Sequence, residues 1–276
     1  MPPVPVLQLV IFSHCLVASA IREFDQKAFQ VLQVDAQPRN DDRSQCTSAS
    51  TLRALLLQLG IPEEDLKNQN PHQVHGITSD GCQVTEIDFR AQELHGTLPQ
   101  ELGELQELKV LNLEETRVAG DLSTLKSATK LQHLDLEGTA VAGNLKSLEK
   151  ATELQFLALR GTAVAGNLES LEKATELEEL YLGGTAVAGN LESLEKATEL
   201  EELYLSGTAV AGLSGTAVAG NLESLEKATK LKDLDLSDTA VAGNLKSLEK
   251  ATELEELYLS GTAVAGNLES LEKATK

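Results

Sequence analysis

The chain repeats itself. Leu108, Leu131, Leu154 and Leu177 open four successive units at a spacing of 23 residues, and Leu200, Leu231 and Leu254 open three more. Each unit reads approximately L-x-x-L-x-L-x-G-T-x-V-x-G-N-L-x-S-L-E-K-A-T-x, as in residues 131–153. One such unit has too many apolar positions to cover by itself, so its copies must stack and share one interior. A fixed period of this size therefore implies a solenoid in which each unit touches only its neighbours. Function belongs at the positions that differ between otherwise near-identical copies.

Residue type sets the geometry inside a unit. Leu131-x-x-Leu134-x-Leu136 ends in strict alternation, as a short strand with one buried face requires. Gly138 and Gly143 allow tight turns. Leu145, Leu148 and Ala151 stand at helical spacing, which predicts a turn or two of helix on the outer side. Leu131, Leu134, Leu136, Val141, Leu145, Leu148 and Ala151 are expected to point inward. The strands of successive units then lie ~4.8 Å apart in a continuous parallel sheet. The fold class is an α/β solenoid.

Residues 84–276 hold eight units. The first is 24 residues long and carries Val84, Ile87, Phe89, Leu94, Leu98, Leu102 and Leu105. The unit at 200–230 is irregular and 31 residues long, because Leu205 to Gly212 is copied as Leu213 to Gly220. One copy must loop out, as a tolerated duplication or an artefact of assembly. Residues 21–83 do not repeat. Phe24, Ala28, Phe29, Val31 and Leu32 give a helical stripe, and a second helix is predicted from about Ser50 to Leu59, stopped by Gly60. Pro62 opens a short helical turn with Glu63 and Glu64 at its positive end, and Asn68 to Gly81 reads as loop. A solenoid exposes an apolar cross-section at its ends, so this segment is placed to serve as the N-terminal cap. The chain stops at Lys276, the last residue of a unit, with no comparable cap. The expectation is a fragment of a longer protein, or an end that self-associates.

The repeat residues resemble those of the leucine-rich repeat. Gly96-Thr97-Leu98-Pro99-Gln100-Glu101-Leu102-Gly103 is similar to the plant-type extracellular subclass found in receptor-kinase ectodomains and polygalacturonase inhibitors. Gly-Thr-x-Val-x-Gly repeats also occur in protist surface proteins. The resemblance implies a parallel sheet on a concave face and short helices or turns on the convex one. It also implies a recognition role. Gly76 to Gly81 leading into Val84-Thr85-Glu86-Ile87 resembles that subclass's cap, which usually has a Trp and paired cysteines; this chain has no Trp and one candidate pair. Thr116, Thr139, Thr162, Thr185, Thr239 and Thr262 stand where the family has the Asn of its strand-to-turn ladder.

Composition narrows the function. A formal net charge of -20 excludes partners that need a basic patch, namely nucleic acid and an anionic membrane surface. It favours a cationic partner. The first twenty residues contain no Lys, Arg, Asp or Glu, and Val6 to Ala18 runs into Ala18-Ser19-Ala20, which resembles a secretory signal with its cleavage site. A disordered apolar tail is the alternative. Cys15 would leave with the signal, so Cys46 and Cys82 remain. An even pair in a secreted chain reads as one disulfide; two free buried thiols are the alternative. The expected location is extracellular or at the cell surface. His72 and His75 lie in a cap loop without metal-site partners, no nucleophile elbow or phosphate loop occurs, and neither catalysis nor a cofactor is expected.

Variation between units gathers at the outward strand positions. The third position runs Glu86, Val110, His133, Phe156, Glu179, Glu202, Asp233, Glu256. The fifth runs Asp88, Asn112, Asp135, Ala158, Tyr181, Tyr204, Asp235, Tyr258. The seventh includes Arg90, Glu114, Glu137 and Arg160. Stacking sets Glu179, Glu202, Asp233 and Glu256 side by side, and like charges ~5 Å apart cost just under 1 kcal/mol per pair even in water. A cationic ligand would relieve that column, and tyrosines beside it suit Lys or Arg side chains. The candidate ligand face is His133, Asp135, Phe156, Arg160, Glu179, Tyr181, Glu202, Tyr204, Asp233, Asp235, Glu256 and Tyr258. It would bind a protein or basic peptide. A solvated, drifting face is the alternative. Calcium at the acids lacks a wrapping loop. A further alternative turns the Thr and Ala columns outward as a flat lattice for ice or crystalline polysaccharide.

Overall fold

The computed structural model describes residues 46–207 and 218–272. The signal segment, the Phe24 to Leu32 stripe, most of the duplicated octapeptide and the last four residues lie outside the described residues.

Two sheets run the length of the stack. The first has nine strands: Ile77–Asp80, Gln83–Asp88, Val110–Asn112, His133–Asp135, Phe156–Ala158, Glu179–Tyr181, Glu202–Tyr204, Asp233–Asp235 and Glu256–Tyr258. Only the opening pair is antiparallel; every later pair is parallel, one strand per unit. Leu131, Leu134, Leu136, Val141, Leu145, Leu148 and Ala151 are all buried, as are their counterparts in the other central units. Burying one such leucine contributes about 1.5–3 kcal/mol, and the single continuous core contains every unit.

The outer segment takes the tightest form of the short helices or turns expected there. It is a 3-10 turn in each unit, Leu145–Leu148 for example, with Asn144 Oδ1 accepting the Lys146 N–H at 2.9 Å. The chain must return to the next strand within the same 23-residue coil, and a tighter turn fits where full α-helical turns do not.

The second sheet was not legible from leucine spacing. Seven short parallel strands, Ala119–Asp121 through Ala263–Ala265, form it along one flank. Gly143 explains the invariant glycine there: φ is +113°, and a Cβ would lie 2.9 Å from the Leu122 nitrogen of the preceding unit. Only glycine permits both the left-handed backbone and this close stacking.

The cap helix runs Ala49–Leu59, begins on the Ser48 hydroxyl and buries Leu52, Leu55, Leu56 and Leu59. It abuts the first unit so closely that a Cβ on Gly96 would fall 2.1 Å from Gln58 O, and Thr97 N–H donates to that carbonyl at 2.7 Å. The expected loop from Asn68 to Gly81 instead contains a 3-10 turn, Pro71–Gln73, and the strand Ile77–Asp80, which pairs with Gln83–Asp88. The cap thus supplies the first edge of the nine-stranded sheet. Cys46 and Cys82 form a disulfide with a Cα–Cα distance of 5.1 Å. His72 reinforces that corner, its Nε2 against Thr47 O at 3.1 Å and its Nδ1 against Ser79 Oγ at 2.9 Å.

The duplication does not break the stack. Glu202–Tyr204 pairs directly with Asp233–Asp235, and Gly189 and Asn190 pair with Val218 and Ala219.

Candidate functional site

In each of the seven three-residue strands of this sheet, Val110–Asn112 to Glu256–Tyr258, the middle leucine points inward, and the residues flanking it belong to the opposite face. Leu180, Leu203 and Leu234 are fully buried. The columns read from the sequence are the columns of the sheet: Glu179, Glu202, Asp233 and Glu256 are consecutive register partners, as are Tyr181, Tyr204, Asp235 and Tyr258.

The acids of the third column are partly buried at Glu179, Glu202 and Asp233 and exposed at Glu256. Burial pushes Glu179 up to about 7, helped by repulsion from Glu202, Glu201 and Glu178, while its hydrogen bond with Tyr181 opposes the rise. Burial, then Glu202 and Glu256, pushes Asp233 up to about 6. Tyr181 joins two strands: its hydroxyl stands 2.7 Å from Glu179 Oε2 and 2.5 Å from Glu202 Oε2. Tyr258 reaches only its own strand, donating to Glu256 Oε2 at 2.9 Å.

An aromatic stack crosses the face diagonally. His133 lies flat on Phe156, with ring centroids 4.1 Å apart and planes within 13°. Phe156 meets Tyr181 at 5.6 Å, and Tyr181 stacks on Tyr204 at 5.2 Å. The Arg160 guanidinium sits over both tyrosines, 5.9 and 5.6 Å from their centroids, with Nη1 3.7 Å from Glu137 Oε1. The protein thus places its own cation on the tyrosine pair, a contact favoured by the negative ring faces. Reading columns separately concealed this stack. His133 and Phe156 stand in the third column and the tyrosines in the fifth, and their diagonal separation is within reach of aromatic side chains.

Other candidates serve the fold. Asp135 is 6% exposed and accepts the Glu137 N–H at 3.0 Å. Asp235 accepts the Ser237 N–H at 2.9 Å, and Asn112 and Asp88 bond the backbone two residues ahead in the same way. A carboxylate or amide two residues before a tight turn closes an Asx turn. Asp135 is therefore not part of an open ligand surface, and Asp235 interrupts the tyrosine column between Tyr204 and Tyr258.

The flat Thr/Ala lattice is overturned by the threonines. Thr116, Thr139, Thr162, Thr185 and Thr239 are buried, and each hydroxyl donates to the carbonyl three residues earlier, Thr185 to Leu182 O at 2.7 Å. Among the described residues no group of three or more His, Cys, Asp or Glu side chains is arranged to hold a metal ion.

Stacked strand-and-turn units on a shared leucine core define a leucine-rich-repeat solenoid, and the architecture accords with the plant-type extracellular subclass. No protein-family model matches the sequence. Among solved structures, the chain is similar to PEPR1 in its complex with AtPEP1: 28% identity, TM-score 0.64, with 78% of this chain and 31% of that one covered. It is also similar to the ectodomain of the Arabidopsis receptor kinase HAESA in complex with an N-terminally extended IDA peptide hormone, at 23% identity and TM-score 0.61, covering 82% of this chain and 43% of that one. A third likeness is to a TDR receptor, at 21% identity and TM-score 0.52, covering 68% and 36%. The chain spans less than half the length of each of these three chains.

Proposed function

We propose that this protein is a non-catalytic, extracellular recognition module that binds a basic peptide, or a basic segment of a protein, across the outward face of the nine-stranded sheet. The observation that carries the reading is the column Glu179, Glu202, Asp233 and Glu256 on four adjacent strands. Aligned acids, three of them half-buried, oppose folding, and a cation docked along them removes the repulsion. The aromatic stack beside them, His133, Phe156, Tyr181 and Tyr204, is a rigid amphipathic ridge of the kind that anchors bound chains at low entropic cost. Arg160 already occupies the tyrosine faces, so a ligand cation has the carboxylates available to it rather than the ring planes. Two further observations support the reading. The PEPR1 structure is of its complex with AtPEP1 and the HAESA structure contains a peptide hormone ligand, and the Cys46–Cys82 disulfide suits an oxidising compartment. Among the described residues no helix is long and apolar enough to cross a membrane.

The test is binding of short Lys/Arg-rich peptides at increasing salt. Affinity is expected to fall steeply with ionic strength, and Tyr204→Ala combined with Glu202→Gln is expected to weaken it at least tenfold, about 1.4 kcal/mol. Salt-independent binding, or full affinity in the double variant, would refute this assignment.

A further inference from the structure

Between the strands Glu179–Tyr181 and Glu202–Tyr204 one phenolic hydroxyl meets two carboxyl groups, at 2.7 and 2.5 Å. A phenol has a single proton to donate. With both carboxyls ionised, one short contact sets a carboxylate oxygen against phenol lone pairs with no hydrogen between them. Both contacts are satisfied when one carboxyl is neutral: it donates to the phenol oxygen, and the phenol donates to the other carboxylate.

The surroundings select Glu179 as the holder of that proton. The preceding strand offers the uncharged Phe156 at its register position, with His133 stacked beyond. The following strand brings Glu201, Glu202 and Tyr204, and Asp233 stands one strand further. Glu178 immediately precedes it in the chain. Arg160, the cation over the neighbouring rings, is also engaged with Glu137. Burial and this acidic company together hold Glu179 at about 7.

We propose that Glu179, Tyr181 and Glu202 form a proton-exchange recognition element, in which the proton shared between the two carboxyl groups through the Tyr181 hydroxyl leaves to solvent when a guanidinium or ammonium group of a basic peptide docks on the pair. The proposal rests on the reading of this face as a basic-peptide site and adds its regulation. The step balances simply: the Glu179 O–H bond breaks, its proton passes to water, and the incoming cation replaces that positive charge. Because ligand and proton compete, affinity rises up to about tenfold per pH unit below about 7 and levels off above about 8.

Two readouts test it on the whole protein. In the free protein, carbon NMR of labelled glutamate is expected to show one carboxyl resonance with a midpoint near 7 that vanishes in Glu179→Gln, with the Tyr181 ring following the same midpoint. Tyr181→Phe, which removes the bridging hydroxyl, is expected to shift that midpoint. With an acetylated, amidated tetra-arginine peptide, whose own groups do not titrate in this range, calorimetry in buffers of different ionisation heat is expected to show release of about one proton at pH 6 and none at pH 8.5. Glu179→Gln is expected to lose both the proton release and most of the pH slope; an unchanged circular dichroism spectrum shows that it folds. Glu179 titrating in the ordinary carboxylate range, with the peptide still bound, overturns the exchange alone. So does an undiminished pH slope in Glu179→Gln. A peptide that binds at no pH between 5.5 and 8.5 overturns the basic-peptide reading and the exchange together.

Discussion

Replacing Asp135 by Asn should stabilise this protein at pH 8 and do almost nothing at pH 4. Asp135 is 6% exposed. Its carboxyl is pushed from 3.8 up to about 7, chiefly by burial and further by Glu114 and Glu137, against the opposing hydrogen bond from the Glu137 N–H and the pull of Arg90. Between those two values the folded chain binds a proton that the unfolded chain has released. The stability this provides is complete below about pH 4 and is lost as pH rises through 7. Keeping the group ionised at pH 8 therefore costs on the order of 4 kcal/mol. Asn retains the Asx turn without the charge, and the fold already accepts it one strand earlier: Asn112 is 2% exposed and takes the Glu114 N–H at 3.0 Å. Urea unfolding of both proteins at pH 4 and pH 8 measures the difference, and hydrogen exchange at the Leu134 and Leu136 amides reports it locally, which matters in an array where units can open separately. The expected gain is a few kcal/mol at pH 8 and within about 0.5 kcal/mol of zero at pH 4. An equal effect at both pH values, or a loss at pH 8, would refute the argument.

Three other outcomes follow from the same structure. Gly189→Ala forces a left-handed φ of +124° and brings a Cβ to 2.4 Å from Asn167 Oδ1, so it should cost more than about 1 kcal/mol and raise hydrogen exchange at the Ala186–Asn190 strand first. Thr185→Val removes a buried hydroxyl and leaves Leu182 O without that donor; chemical denaturation should show a loss of about 1–3 kcal/mol. Cys46→Ser with Cys82→Ser opens a loop of sequence separation 36, a loss of about 4 kcal/mol on the chain-entropy model. Limited proteolysis should then cut the cap before the repeats.

Much of the architecture lies on the surface of the sequence. A period of 23 residues aligns equivalent positions in every copy, so the acid column and the tyrosine column could be written down with their correct register, and the buried leucines with them. The helix of the cap and its glycine stop were equally readable, because a leucine stripe and Gly60 act within a few residues of chain; the Ser48 cap came only with the fold. The disulfide followed from having two cysteines left to pair.

What required the folded molecule was everything that depends on which way a side chain turns once its neighbours are in place. Asp135 and Tyr181 hold the same column, yet one folds back on its own turn and the other spans two strands, because a short carboxylate reaches the backbone two residues on and a phenol cannot. The aromatic stack joins two columns, a diagonal contact that no single-position comparison contains. The second sheet rests on glycines whose need is set by the unit before them, 2.9 Å away at Gly143. Local spacing determined the repeat, the core and the columns; packing between units decided which of those outward residues remain free to meet a ligand.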